Sequence, residues 1–360
     1  MAERESIRIQ DVARRAGVSI STVSNALNGR PERMRSDTLA RIESVIAELR
    51  YRPNHAARQL KTGHTPIIGL LVPSIANPAF GRLAREVEIV AQERYGYRLL
   101  LGNTYRSLDT EASFVDALLS PGVRGVIIVS SLANRDHFES ASARGLVVVS
   151  HDGRAPVGHV PQVDYVSMDN VRAASLATQH LIDQGHTRLV FASASGRTVS
   201  RAEKIDGYLA TAREAGIVRT AEVLERKAQS AYGDSELSEL GRAIAEEIAA
   251  RKLRPTGIVA LNDMLAIGIV AGLRDAGVAV PGEISVVGMD DLFLSSLIDP
   301  AITSIRPPVP EMAAQMVERI MVRLADPSTP AAEFLFQPTL IARQTVATLR
   351  PPSRSTRRSK

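Results

Sequence analysis

Small hydroxyl and amide side chains are concentrated near the start of the chain, in the stretch GVSISTVSNALNGR at residues 17–30. Ser19, Ser21 and Thr22 fall in the first turn of a predicted short helix, and Asn25 follows one turn later. Such groups suit phosphate oxygens at a helix N-terminus, and an asparagine pairs in bidentate fashion with adenine. The spacing therefore favours contact with a nucleic acid, although a capped surface helix rich in serine fits the same residues.

Three predicted amphipathic helices position this stretch. They cover Gln10–Ala16, Ile20–Asn28 and Ser36–Leu49, with Ser19 as N-cap of the second and a glycine following each of the first two. Helix, tight turn, helix is the helix-turn-helix pattern, whose second helix enters the DNA major groove. Val23, Ala26 and Leu27 are expected to hold that helix to a small core. The side away from this core carries Ile20, Ser21, Ser24, Asn25 and Asn28.

Basic residues are concentrated at the two ends of the chain. The first 62 residues contain 12 Lys and Arg against 7 Asp and Glu, and the last eleven contain five basic and no acidic residues. The formal net charge of the whole chain is +5, so the central part is mildly acidic. Clustered basic residues neutralise phosphates, which indicates a polyanionic partner, although a solvated basic surface would have the same composition.

Several classes of protein are disfavoured by what the sequence lacks. It contains no cysteine, so disulfides and thiolate sites are excluded, and neither a metal nor a cofactor is predicted. G-x-S-x-G, GxxxxGK[ST] and HExxH are all absent, so an enzyme would need an unrecognised site. No signal peptide and no apolar run of membrane-spanning length are found, which argues against a secreted ligand-binding protein and favours the cytoplasm.

From residue 66 onward, short apolar runs alternate with longer helical patterns. The runs predicted as strands are 67–72, 97–101, 125–129, 146–150, 188–192, 257–261 and 284–288. The clearest helices between them are 80–94, 171–185 and 264–277. This alternation predicts a doubly wound α/β body, and the number of units favours two similar lobes that face a cleft. Ligands of such folds bind at the carboxyl ends of the strands.

The segments IQDVARRAGVSISTVSNALNGR and RPNHAARQLKTG resemble the DNA-binding headpiece and hinge of the lactose and galactose repressor family of bacterial transcription regulators. The likeness continues through NPAF, DNVRAA, GHTRL, LNDMLAIG, VPGEISVVGMDD and DPAITSIRPP, and covers residues 7–345. The resemblance implies a repressor that binds a two-fold operator in double-stranded DNA as a homodimer. It also implies a body like that of periplasmic binding proteins, with a small effector in its cleft.

In this family the start of the second helix reads DNA. The resemblance places Ile20, Ser21 and Asn25 at base edges and Ser19, Thr22 and Ser24 at phosphates, with Asn28 beside them. Asn25 stands where arginine is frequent, which leaves the operator sequence open. The resemblance also implies a hinge helix that contains Asn54 and Arg58, and whose Leu60 wedges into the minor groove at the operator centre. Leu60 packed on the body is the alternative.

Effector contacts are also implied only by the resemblance, which places them at Asn77, Phe80, Asp152, Asn262 and Asp290. Lys204 stands where arginine is usual, and Arg201 lies about one turn earlier. Amides and carboxylates suit the hydroxyls of a carbohydrate, although Asn262 and Asp290 follow strands and could be helix caps. The aromatic candidates for stacking on a sugar are Phe80, Tyr105, Tyr165 and Phe293.

The expected organisation is therefore a headpiece at 1–52, a hinge at 53–65, a two-lobed body at 66–349 and a disordered basic tail at 350–360. The tail lacks the leucine heptads of a tetramerising segment, which favours a dimer. Release of DNA by the effector, promotion of DNA binding by it, and control by a protein partner all stay open.

Overall fold

The computed structural model describes residues 9–27, 34–49, 51, 66–105, 107–119, 122–130, 136–155, 158, 161–196, 198–227 and 236–349. The chain forms two compact units, Met1–Thr65 and Pro66–Lys360, which divide where the sequence places the start of the body. The predicted hinge at 53–65 and the predicted tail at 350–360 lie outside the described residues.

The described residues of the first unit form three helices, α1 (Ile9–Ala16), α2 (Ile20–Leu27) and α3 (Ser36–Leu49). Their apolar residues meet in one core in which Val12, Val23 and Ile42 are fully buried. Gly17 lies between α1 and α2 with φ +63°, a left-handed conformation that favours glycine and permits the tight turn. The unit is thus the small all-helical domain that the sequence predicts.

The second unit contains two six-stranded sheets. The first is ordered β11, β5, β4, β3, β1, β2 and is wholly parallel, whereas the second is ordered β12, β10, β9, β8, β6, β7 with β12 antiparallel. The strands of the first sheet are β1 (Ile67–Val72), β2 (Arg98–Asn103), β3 (Gly125–Val129), β4 (Val147–His151), β5 (Asp164–Met168) and β11 (Glu333–Phe336). Those of the second are β6 (Leu189–Ala194), β7 (Ala221–Arg226), β8 (Gly257–Ala260), β9 (Ser285–Met289), β10 (Thr303–Arg306) and β12 (Thr339–Ile341).

Helices cover these sheets. They are α4 (Pro78–Tyr95), α5 (Leu108–Leu119), α6 (Asp136–Ala143), α7 (Asn170–Asp183), α8 (Val199–Glu214), α9 (Glu236–Ala249), α10 (Asp263–Asp275), α11 (Phe293–Leu297) and α12 (Val309–Ala325). In the first sheet, Ile68 and Leu70 pack in one apolar cluster and Leu71 in another, so β1 is buried on both faces. This burial explains why β1 and β3 are nearly continuous apolar runs. The two-lobed α/β fold predicted from the sequence is confirmed.

The chain passes between the two lobes at three places: between β5 and α7, between β10 and α12, and between β11 and β12. Asp169 joins two of these crossings. Its backbone N–H donates to Phe336 O at 2.8 Å, and its side chain accepts from Gln337 Nε2 at 3.2 Å and from the N–H of Arg172 at 2.8 Å. The first residues of α7 are therefore held at the junction of the lobes, where a ligand between the lobes would meet them.

Candidate functional site

The first candidate site is the N-terminal end of α2 in the helical unit. Thr22 N–H donates to Ser19 Oγ at 3.1 Å, so Ser19 is the N-cap that the sequence predicts. The same oxygen lies 2.7 Å from Ser21 Oγ and 2.8 Å from Thr22 Oγ1. Because Ser19 Oγ already caps the helix, its capacity for a further contact is smaller than that of Ser21.

Side-chain exposure separates the two sides of α2. Val23 is buried in the headpiece core, whereas Ser19, Ile20 and Ser21 are exposed, Ile20 by 46%. Ser24 and Asn25 are half-buried. The helix end therefore presents hydroxyls, one aliphatic side chain and free backbone amides, which together fit a polar groove lined by phosphates. The other predicted DNA contacts, Asn28, Asn54, Arg58 and Leu60, lie outside the described residues.

The second candidate site is a cavity of about 140 Å³ between the two lobes of the body. Both lobes contribute to its walls, at the carboxyl ends of their parallel strands, where such folds bind ligands. The predicted effector residues that line it are Asn77, Phe80, Asp152, Arg201, Lys204, Asn262 and Asp290. Of the ten side chains named for the effector, counting the aromatic candidates, seven thus lie at one cavity.

Phe293, Tyr105 and Tyr165 do not line the cavity, so the expectation that Phe293 lies in the cleft is wrong. Phe293 begins the short helix α11, is 76% exposed and is not part of the cavity wall. Asp290 and Asp291 both have positive φ, and Leu292, which is buried, donates its N–H to Asp263 Oδ2 at 2.8 Å. This turn carries the chain away from the cavity before Phe293. Of the other aromatic candidates, Tyr105 is 46% exposed and Tyr165 belongs to an apolar core cluster, which leaves Phe80.

Asp152 and Asp290 occupy corresponding places in the two lobes. Asp152 follows β4 and Asp290 follows β9, which are the fourth strands of their sheets counted from β2 and β7. Their φ angles are +67° and +107°, a region that non-glycine residues occupy at a cost of about 1–3 kcal/mol and mostly at functional sites. The two carboxylates thus line the cavity from different lobes, in a backbone conformation that stability alone does not favour.

Asn77 and Asn262 can each cap a helix and bind a ligand, because different atoms of the side chain serve the two roles. Asn77 caps α4 by accepting from Ala79 N–H at 3.0 Å, and Asn262 caps α10 by accepting from Leu265 N–H at 3.0 Å. The cap uses the side-chain oxygen of each and leaves the NH₂ group as a donor at the cavity wall. Both the capping role and the ligand-binding role considered for Asn262 are therefore compatible with its geometry.

Arg201 and Lys204, one helical turn apart on α8, differ in what holds them. The guanidinium of Arg201 donates to the carbonyls of Ala194 at 3.1 Å and Ser195 at 2.9 Å, and also to that of Gly196. Arg201 therefore fixes the loop between β6 and α8. Lys204 is only 9% exposed, and within the described residues its ammonium has neither a hydrogen-bond acceptor nor an ion-pair partner at contact distance.

The polar residues of the cavity wall that were not predicted include Asn170 and His151, besides Arg82, Thr198 and Ser200. Asn170 is 1% exposed, and its Nδ2 donates to Glu203 Oε2 at 3.0 Å while its Oδ1 has no partner among the described residues. His151 Nδ1 donates to Val166 O at 2.9 Å, so its Nε2 is an acceptor in the neutral ring. Neither has a local signal, because an asparagine after aspartate and a histidine at a strand end occur in many structural roles.

The cavity walls shift the protonation of these groups. Burial raises the pKa of Asp290 to about 7, although the charges of Lys204 and Arg82 oppose the shift. Burial also lowers the pKa of His151, against the charge of Asp152, which keeps the imidazole neutral near pH 7. At neutral pH the cavity therefore contains a neutral histidine and an Asp290 that is partly protonated.

In the part of the chain that the structure describes, no helix is long and apolar enough to cross a membrane.

Comparisons with known proteins agree with this geometry. Residues 8–54 match the profile of the bacterial regulatory proteins of the lacI family, and residues 178–346 match that of the periplasmic binding protein-like domain. The transcriptional regulator GalR of Salmonella typhimurium is 32% identical over 345 residues, which are 94% of this chain and 96% of GalR.

Two solved structures share the fold. The lac repressor dimer bound to operator and the anti-inducer ONPF has a TM-score of 0.80 at 23% identity and covers 95% of this chain and 100% of its own. The transcriptional regulator CelR in complex with cellobiose has a TM-score of 0.66 at 24% identity and covers 94% of this chain and 99% of its own.

Proposed function

This chain belongs to the lacI family of bacterial regulatory proteins, and we propose that it is a transcriptional repressor that binds a two-fold DNA operator as a homodimer under the control of a small effector. It is a transcriptional regulator with a ligand-binding body, since its relatives are regulators rather than enzymes. An enzymatic or secreted ligand-binding role is therefore set aside. Action on an operator places the protein in the cytoplasm.

The observation that carries the DNA-binding role is the exposed end of α2. Ile20 and Ser21 project from a helix whose opposite side, at Val23, is locked into the headpiece core. A recognition helix needs this arrangement, because its contact side chains must be free while its axis stays fixed. Ile20, Ser21 and Asn25 are proposed to contact base edges, and Ser19, Thr22 and Ser24 to contact phosphates.

Homodimer formation is supported by apolar side chains left exposed on the body. Phe293, Leu294 and Leu297 of α11 are 76%, 41% and 63% exposed, and Leu100 and Leu101 of the edge strand β2 are 46% and 45% exposed. Grouped exposed apolar residues mark interaction surfaces, and a two-fold dimer buries the same patch on both copies. Phe293 is thus assigned to an interface between copies rather than to the cleft. A two-fold dimer in turn matches a two-fold operator.

The cavity is proposed to bind the effector, which we infer to be a carbohydrate or a related metabolite. Its wall combines carboxylates, amides and a lysine from both lobes, groups that pair with hydroxyls. CelR, which has this fold, is seen with cellobiose. A ligand held by both lobes favours one separation of the lobes, and so shifts the population of the state that binds DNA. The coupling is limited to the differential affinity of the two states, typically about 1–3 kcal/mol.

Selection of binding sites from random double-stranded DNA tests the proposed function. The full-length chain is expected to enrich one sequence with two-fold symmetry, with an affinity that falls steeply as salt rises. A chain lacking residues 1–65 should enrich nothing while its body stays folded, because the two units are compact separately. Failure of the full-length chain to enrich any sequence, or enrichment by the truncated chain, would contradict the assignment.

A further inference from the structure

We propose that the effector carries an anionic group, a carboxylate or a phosphate, which pairs with Lys204 in the inter-lobe cavity. This inference rests on the proposed function, since it takes the cavity to be the effector site and narrows the effector from carbohydrates in general to acidic carbohydrates. Sugar acids and sugar phosphates share this chemistry.

The first support is the isolation of Lys204. Its side chain is more than nine-tenths buried in the cavity wall, and among the described residues no carboxylate lies at ion-pair distance from its ammonium. Burial of a charged group without a partner costs several kcal/mol, so such groups are normally paired. Arg201, by contrast, donates through Nη1 to three backbone carbonyls. Lys204 is thus a cation whose charge acts on Asp290 but which has no ion-pair partner at contact distance among the described residues, so a ligand anion can pair with it.

The second support is the set of helices that begin at the cavity. Asn77, Thr198 and Asn262 are the N-caps of α4, α8 and α10, and all three residues line the cavity. Helix N-termini carry a partial positive charge and favour anions. All three caps are neutral side chains, but α10 carries the buried carboxylate of Asp263 in its first turn, which opposes the partial charge at that end. The N-termini of α4 and α8 therefore add to the positive potential around Lys204.

The third support is the balance of charged side chains. The cavity wall contains three cationic side chains, Arg82, Arg201 and Lys204, and two carboxylates, Asp152 and Asp290. His151 adds no charge, because burial keeps it neutral. Burial also raises the pKa of Asp290 to about 7, so part of its negative charge is absent at neutral pH. The protonated form of Asp290 carries no charge and can donate a hydrogen bond to an anion. The cavity is therefore net positive, yet it keeps acceptors for ligand hydroxyls.

Matched pairs of sugars test the proposal, with binding measured by calorimetry and by thermal shift of the full-length protein at pH 7. The pairs are D-galactose with D-galacturonate, D-glucose with D-glucuronate, D-glucose with D-glucose 6-phosphate, and D-ribose with D-ribose 5-phosphate. At least one acidic member is expected to bind about tenfold or more tightly than its neutral counterpart, as a charged hydrogen bond implies. The phosphate and carboxylate arms distinguish the two sources of charge.

Variants then assign the preference to one side chain. Lys204→Met should lose about tenfold in affinity for the acidic sugar and little for the neutral one, whereas Lys204→Arg should keep the preference. Lys252→Met, at an exposed position, is the matched control and should bind like the wild type. Without ligand, Lys204→Met should melt close to the wild type, because the substitution breaks no hydrogen bond or ion pair among the described residues and Asp290 can take up a proton in its place. This readout separates a lost contact from a lost fold.

Neutral sugars that bind as tightly as their acidic counterparts would overturn the inference and leave the proposed function standing. An acid preference that persists in Lys204→Met would also overturn it. If no sugar of either kind binds while the chain still selects a DNA site, the carbohydrate effector fails, and the inference fails with it.

Discussion

Asp263 Oδ1 accepts a hydrogen bond from Ser304 Oγ at 2.6 Å, beside the turn that carries Asp290. The second oxygen of this fully buried carboxylate accepts from Leu292 N–H at 2.8 Å and from Ser295 Oγ at 2.6 Å. Two segments, β10 and the turn from Leu292 to Ser295, are thus tied to one side chain at the start of α10. The neighbouring Gly288 leaves no space for a larger residue, because a Cβ there would lie 2.2 Å from Asp263 Oδ1.

Removal of this carboxylate should loosen the wall of the cavity. Asp263→Ala leaves two hydroxyls and one backbone N–H without their acceptor, so we expect a loss of about 2–4 kcal/mol in the free energy of unfolding. Asp275→Ala, at the other end of α10, removes an exposed ion pair with Arg242 and should lower stability far less. Thermal melting of both variants makes the comparison, and equal losses would show that Asp263 has no special structural role.

The contribution of Asp290 and Asp263 to the stability of the unliganded body should fall as pH rises from about 4 to 7. Burial raises the pKa of Asp290 to about 7 and that of Asp263 to about 6, whereas an aspartate in an unfolded chain titrates near 4. The folded state therefore binds more protons in this window, and each deprotonation destabilises it. Asp290→Asn should raise the melting temperature at pH 8 more than at pH 4.

Other charged groups also affect the pKa of Asp290. The stability of Asp290→Asn is therefore compared with that of the wild type at every pH. Lys204 and Arg82 lower the pKa of Asp290, and Asp263 and Asp152 raise it. Asp109→Asn, at an exposed position on α5, serves as the control and should leave the pH profile of stability unchanged. An identical pH profile for Asp290→Asn and the wild type would mean that Asp290 does not titrate in this range.

The two roles of Asn262 can be separated by substitution. Asn262→Asp keeps the oxygen that caps α10 but lacks the NH₂ donor, whereas Asn262→Ala lacks both groups. We expect the aspartate variant to melt near the wild type and the alanine variant to lose about 1 kcal/mol, as is usual for an N-cap. Both should bind the effector more weakly. Unchanged effector affinity in the aspartate variant would leave Asn262 with a capping role only.

Asn25 is predicted to help choose the operator sequence. Asn25→Arg should change the base preferred at one position of each half-site by about 1–3 kcal/mol, because arginine pairs best with guanine and asparagine with adenine. Site selection from random DNA with both proteins measures the change. Lys252→Met, which alters an exposed residue of the body, is the control and should select the wild-type site. The same preferred site for Asn25→Arg would exclude Asn25 from base reading.

The strands that the sequence predicts correctly are those that are buried along most of their length. β1, β3 and β9 are buried along their whole length or nearly so, which produces apolar runs that match the strands within a residue. β7 is an edge strand with charged residues on its exposed side, and β11 alternates between exposed and half-buried positions. β10 is buried but contains Thr303 and Ser304, whose hydroxyls are bonded to distant residues. Such strands become recognisable only once their tertiary partners are known.

The residues of the cavity wall were also only partly predictable from the sequence. Seven predicted effector residues meet there because the carboxyl ends of parallel strands converge, and this convergence follows from the strand pattern. Asn170 reaches the wall only because Asp169 holds α7 at the lobe junction, a contact between residues far apart in the chain. Phe293 leaves the wall because two aspartates adopt positive φ. Neither effect has a local sequence signal that distinguishes it from ordinary capping.

Control of DNA binding by the cavity can be measured as a change in the dissociation constant for the selected operator. This constant is measured with and without the sugar that raises the melting temperature of the wild type, for the wild type and for Asp290→Ala. The wild type should change its operator affinity by about fivefold or more with ligand, in line with the usual range of coupling energies. Asp290→Ala should match the wild-type affinity without ligand and show no response to it. Equal operator affinity of the wild type with and without bound ligand, or an undiminished response in Asp290→Ala, would contradict the account.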